Sequence, residues 1–205
     1  MEITPLAAEG SAEILEFWFG TLDMEVTPPS RVQLWFGKSD ETDQAITRQY
    51  AGKLARARRG ELDEWADMPQ GRLALIIVLD QFSRHIHRGL PAAYASDSKA
   101  LALAVEGVQQ EMDKALCPVK RVFFYIPMMH AESAQWQDES VKLYRQLRDA
   151  APRSALPFFD EVLRQAEHHR QVVVCFGRYP HRNKVLGRHS TLAERDFLSQ
   201  PGSTF

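Results

Sequence analysis

Cysteine is scarce in this chain: two among 205 residues, Cys117 and Cys175. Their separation matches no metal-ligand spacing and calls for no disulfide framework, so they read as reduced core thiols of a cytoplasmic protein. Long apolar runs are missing too. No stretch approaches the roughly 20 residues that cross a bilayer, which argues against a membrane partner. The first residues, MEITPLAAEGSAEILEF, have no basic start followed by an apolar run, so no secretory leader is expected. Charge of one sign is not in excess. A net charge of -2 argues against general nucleic-acid binding, which needs a strong positive field. Alternating apolar and polar runs between hairpin turns do not occur. Low-complexity segments, an interdomain linker, a Gly-rich phosphate loop and cofactor motifs are lacking as well. The expectation is a single domain over 1–205, with no cofactor and no metal.

What the chain has is helical periodicity. Ser11 reads as the cap of a first helix with Ile14, Leu15, Phe17 and Trp18 on its apolar side. Beyond Ser39, the residues Ile46, Tyr50, Leu54 and Ala57 recur at helical spacing until Gly60. Pro69 suits the first turn of a helix running towards Gly89. Further helices are expected near Asp97, near Pro118, after His130 and after Leu156. Thr191 and Glu194 have the spacing of a capping box for a last one. Short connections predict antiparallel neighbours, so the fold class is all-α, with helix pairs packed as a compact tetratricopeptide-like stack. The echo between FWFG (17–20) and LWFG (34–37) is too close to be a helix-pair repeat. DMEVTPPSR (23–31) reads as a rigid surface loop.

Polar residues on apolar faces mark the candidate site. In GRLALIIVLDQFSRHIHRG, an advance of about 100° per residue puts Asp80, Arg84 and His87 in the direction of Leu73, Ile76 and Ile77. Leu75, Leu79, Phe82 and Ile86 form the opposite, wholly apolar stripe. Asp80 and Arg84 are four apart and can pair, either on a surface or in the wall of a cavity. His169 falls within an apolar stripe of Phe158, Phe159, Val162, Leu163, Ala166 and Val173, whereas His168 points to the polar side. A buried imidazole needs a partner, most simply a backbone carbonyl. In FFYIPMMHAES, Pro127 is expected to end a helix and place His130 and Glu132 at the start of the next. His130, Glu132, His169 and His181 match no zinc-hydrolase spacing. In CFGRYPHRNKVLGRHST, Gly177 and Gly187 allow sharp turns around Arg178, His181, Arg182 and Asn183, and Arg188 precedes the last helix. Arginines on such a bend either grip an incoming carboxylate or phosphate or tie down nearby carbonyls.

The segments LALIIVLDQFSRHIHRGLPAAYASD, FFYIPMMHAES and HHRQVVVCFGRYPHRNKVLGRHSTLAERDFL, with ILEFWFG, LWFG and GELDEW, resemble the bacterial family known as domain of unknown function 924. The likeness covers nearly the whole chain, and FGRYPHRNKVLGRHST is its most specific part. It implies an all-helical, tetratricopeptide-like stack of helix pairs and implies almost nothing about activity. The sequence departs from the family pattern at Ser83, His85 and Ala131, where proline, asparagine and serine are expected. Asp80, Gln81, Arg84, His130, Glu132 and His169 are spared by these changes.

Two functions follow as expectations. One is an interhelical pocket for a small anionic metabolite, with Asp80, Gln81, Arg84, Arg178, His181, Arg182, Asn183 and Arg188 as ligand-binding candidates. His130, Glu132 and His169 are then candidates for acid–base catalysis. The other is a helical scaffold that binds an acidic peptide or protein partner. A third possibility is that the polar set is only a structural network.

Overall fold

The structure, a computed structural model, describes residues 5–20 and 29–203. The loop expected at 23–31 falls largely outside them; from Pro29 onward it is helical. Among the described residues there is no strand. The chain folds into α1 (Pro5–Phe19), α2 (Pro29–Phe36), α3 (Asp40–Arg58), α4 (Pro69–Ile77) and α5 (Ser83–Ile86), followed by α6 (Asp97–Gln109) and α7 (Pro118–His130). It finishes with α8 (Ala134–Asp149), α9 (Leu156–Phe176) and α10 (Leu192–Leu198). None of the described helices is long and apolar enough to cross a membrane.

Local chemistry sets most boundaries. Ser39 caps α3 by accepting from the Thr42 amide, and the chain leaves α3 through Gly60 at φ 83°. Pro69 occupies the first turn of α4, where its missing N–H costs nothing. Thr191 and Glu194 form the complete capping box of α10. Ser11 is not a cap: α1 already begins at Pro5, and Ser11 lies buried within it. Pro127 does not end a helix either. It sits inside α7, so His130 is the last residue of that helix and Glu132 follows it, and neither opens a helix. The carbonyls beyond the proline find donors elsewhere: Gln137 Nε2 donates to Met129 O at 2.7 Å and to Ala131 O at 2.8 Å. These donors satisfy carbonyls left open where the helix ends.

One hydrophobic cluster joins side chains from α1 to α9. At one end, FWFG and LWFG form two halves of an aromatic group and not a repeat. Phe19 and Trp35 both pack on Phe123 of α7, with ring centroids 5.4 and 4.8 Å away, and Trp35 Nε1 donates to Trp18 O at 2.9 Å. α8 and α9 form an antiparallel pair, joined by Arg170–Asp138, Arg145–Glu167 and Arg148–Asp160 bridges at 2.5, 2.9 and 2.8 Å. The cysteines are not core residues. Cys117 is half-buried just before α7, and Cys175 is exposed on the outer side of α9.

Two glycines in helices are expected to respond oppositely to alanine. At Gly71 a Cβ would lie 2.2 Å from the Trp65 carbonyl oxygen, so backbone must move. At exposed Gly52 in α3 it meets nothing within 4 Å. Gly71→Ala is expected to lower the melting temperature by several degrees. Gly52→Ala is expected to stabilise by about 1 kcal/mol, the helix-propensity difference. Thermal denaturation of both variants checks the pair.

Candidate functional site

The helix from Pro69 to Ile86 is interrupted by a π turn at Val78–Phe82. Such a turn inserts extra backbone and re-aims the side chains that follow. It carries Asp80, which has no exposed surface, so its bridge to Arg84 is a buried pair and not a surface one. His130 Nδ1 donates to both oxygens of Asp80 at 2.9 and 3.0 Å. Arg84 Nη1 lies 3.0 Å from Oδ1, and Gln81 Nε2 donates to Oδ2 at 2.6 Å. Burial alone would raise the Asp80 pKa. Arg84, His130 and Gln81 outweigh it and hold the carboxyl well below the usual range.

Arg84 is satisfied on its other edge by Asp97 at the start of α6, with paired bonds of 3.0 and 3.1 Å. Arg182 shares that carboxylate less well, at 3.4 Å from Nη1. Its guanidinium lies between the rings of Tyr94 and Tyr179, 4.8 and 4.5 Å from their centroids. The Arg182 side chain is 7% exposed, and its buried Nε has no hydrogen-bond partner among the described residues. Burial, followed by repulsion from Arg84, lowers the pKa of Arg182.

Arg84, Gln81, His130, His169, His181 and Arg182 all border a single cavity of about 690 Å³ between α2, α5, α7, α9 and the 177–190 bend. Asp80 stands behind that wall, bonded to three of its members. His169 Nδ1 bonds to Gln165 O at 2.7 Å, and its ring is 6.3 Å from that of His130. The buried stripe of α9 does contain His169, while His168 sits at the cavity rim. Burial pushes His169 down to about 3 and His181 down to about 4, and burial with Arg84 also lowers His130.

The remaining candidates form a clamp beside the cavity and do not line it. Glu132 accepts the Tyr179 amide at 2.8 Å and takes paired bonds from Arg188 at 2.6 and 2.9 Å. Arg188 also donates to Tyr179 O and to Asn183 Oδ1, and Asn183 donates to Ser190 Oγ. Arg178 pairs with Glu194 at 2.6 and 2.9 Å and donates to His189 O. Gly177 and Gly187, at φ 68° and 65°, supply the turns that bring these groups together. Burial would raise Glu132, but Arg188 and the Tyr179 amide lower it, and Arg178 lowers Glu194 to about 2.

Sequence patterning missed Asp97 and Tyr94, whose only signal was position: an acid opening a helix and a tyrosine after a proline turn. It also missed Asp43, which bonds His85 Nδ1 at 2.7 Å and pairs with Arg88, two residues that border the cavity. Two departures from the family pattern are occupied in this way. His85 takes Asp43, and Ser83 Oγ donates to Ala93 O at 3.1 Å while accepting from Arg58 at 2.9 Å. Among the described residues, no group of three or more His, Cys, Asp and Glu side chains is placed to hold a metal ion.

The buried imidazoles dictate a pH response. Their folded pKa values lie below the ordinary 6.5, so the unfolded chain binds more protons in that interval. Their stability contribution is intact above about pH 6.5 and falls as the pH drops towards 4 and then 3. Asp80 and Glu132 add losses only below their ordinary pKa values of 3.8 and 4.5. Melting temperature is expected to decline already between pH 6.5 and 4.5, and less so in His181→Asn. Calorimetry across pH tests this.

With this geometry in place, comparison with known proteins is informative about kinship. No curated protein matches the chain. A solved structure of a protein of unknown function from Agrobacterium tumefaciens is 34% identical over 94% of this chain and 98% of that one, with a TM-score of 0.79. The model of a bacterial protein family of unknown function (DUF924) matches residues 14–202, and the chain belongs to that family.

Proposed function

We propose that this chain, as a single domain, binds a small organic anion in the cavity through Arg182 and Arg84. The observation that carries the proposal is the state of Arg182. A buried guanidinium costs free energy unless its donors are met. Here Arg84 takes both Asp80 and the better share of Asp97, which among the described residues leaves Arg182 one 3.4 Å hydrogen bond and an unpartnered Nε. A carboxylate or phosphate would supply the missing acceptors in the paired geometry that arginine favours. The cavity volume of about 690 Å³ suits a small molecule.

The same arrangement equips His130 for proton transfer. Ionised Asp80 holds the proton on Nδ1, so the neutral ring keeps a lone pair on Nε2. Its lowered pKa keeps it neutral near pH 7, as a general base must be. An acid–base reaction on the bound anion follows. Glu132 is excluded from that role by its bonds to Arg188 and Tyr179. The two free thiols support a site that works in the reducing cytoplasm.

A tetratricopeptide-like scaffold for an acidic peptide is the alternative, favoured by Lys38, Arg88 and Arg164, which also border the cavity. Thermal-shift measurements with a panel of organic acids and phosphate esters, and with an acidic peptide, separate the two. At a concentration of 100 Kd a ligand stabilises by about 2.7 kcal/mol, a rise of roughly 5–10 °C for this chain length. Arg182→Gln is expected to abolish the shift with small anions. Peptide binding that survives both Arg182→Gln and His169→Gln would favour the scaffold.

A further inference from the structure

The cavity has two chemically different ends, and the proposed anion accounts for only one of them. Two to three helical turns before His130 on α7 and His169 on α9, the lining residues are Val122, Val162 and Phe158, joined by Val32 and Phe36 of α2. Val32 and Phe36 lie one helical turn apart and are 38% and 51% exposed, although both border the cavity. Large apolar side chains one turn apart on a concave wall mark a place where ligand burial yields hydrophobic free energy. Size points the same way. At ~30 Å³ per water, the volume holds about 20 waters, many more than acetate or inorganic phosphate displaces.

We infer that the ligand is amphipathic: a carboxylate or phosphate monoester whose head group meets Arg182 and Arg84 and whose alkyl or aryl body lies against Val32, Phe36 and Phe158. This rests on the anion-binding proposal and adds the class of compound. The orientation follows from which cations are already paired: Arg88 and Arg164 also border the cavity but are held by Asp43 and Glu161, whereas Arg182 keeps an unmet Nε among the described residues. A neutral chain thus lies against α2 with its charge at the far end.

Titration calorimetry on the full-length protein tests the inference with two series: acetate, butanoate and hexanoate, and methyl, butyl and hexyl phosphate. Hexylammonium is the charge-reversed control. Affinity is expected to rise about three- to fourfold per methylene in at least one series, from roughly 0.8 kcal/mol for each buried CH₂. Phe36→Ser and Val32→Ser, both at positions more than a third exposed, are expected to flatten that slope and leave acetate or methyl phosphate unchanged. Arg182→Gln is expected to weaken every member of the series. Equal affinity for short and long chains in both series overturns the amphipathic ligand but leaves the anion site standing. Hexylammonium binding as tightly as hexanoate overturns both.

Discussion

Asp80→Ala is expected to destabilise the protein by about 3–5 kcal/mol, the usual cost of removing one partner from a buried ion pair. For a chain of this length that corresponds to a fall of roughly 10 °C in melting temperature. The size follows from how many groups depend on this carboxylate. It has no exposed surface, and it accepts from His130 and Gln81 while facing Arg84 at 3.0 Å. Without it, Arg84 keeps Asp97, but His130 Nδ1 loses its acceptor and either ring nitrogen is then free to carry the proton. Asp80→Asn preserves volume and one acceptor oxygen, so it should lose less stability than alanine while still abolishing His130 as an oriented base. Chemical denaturation measures the first effect. The histidine tautomer, read from imidazole ¹⁵N shifts, measures the second.

Glu132→Ala is expected to unlatch the 177–190 bend. Three bonds converge on this side chain: one from the Tyr179 amide and two from Arg188. Hydrogen bonds to charged groups contribute about 1.5–3 kcal/mol each when broken singly, with strong non-additivity in a shared network. A total loss of about 3 kcal/mol is expected, with amide exchange in 177–190 accelerating by more than tenfold. Glu132→Gln keeps an acceptor for the Tyr179 amide and should fall between wild type and alanine. Arg182 rides on this bend, so ligand affinity should fall in proportion to the opening. Arg178→Ala, whose partners Glu194 and His189 lie away from the cavity, should lower stability and spare affinity.

Much of the helical scaffold was legible because its signals are local. Ser39 and Gly60 bracket α3, Pro69 opens α4, and Thr191 with Glu194 caps α10, each through a capping bond or a backbone preference that acts within a few residues. Pro127 misled because a proline within a helix that is buried on all sides is held by tertiary packing, which local sequence does not show. Ser11 misled because a good capping residue also fits inside a helix once tertiary packing covers it. The candidate site was legible as a set of residues but not as a division of labour. Helical spacing revealed the Asp80–Arg84 pair, and the density of donors in 175–191 revealed the bend. Which arginines are consumed by the protein depends on carboxylates 16 to 85 residues away, at Glu194, Glu132 and Asp97. No single-sequence pattern encodes those distances. The apolar end escaped notice because Val32 and Phe36 look like ordinary surface residues of a short helix until the cavity is seen beside them.

The most direct measurement is a crystal structure of the protein grown with hexyl phosphate or hexanoate at saturating concentration. The account predicts density for the anionic head within hydrogen-bonding distance of the Arg182 guanidinium, Nε included, with the chain extended along Phe36. Density for the head group on Lys38 or other surface cations, with Arg182 still turned to Asp97 and its Nε unmet, would contradict it.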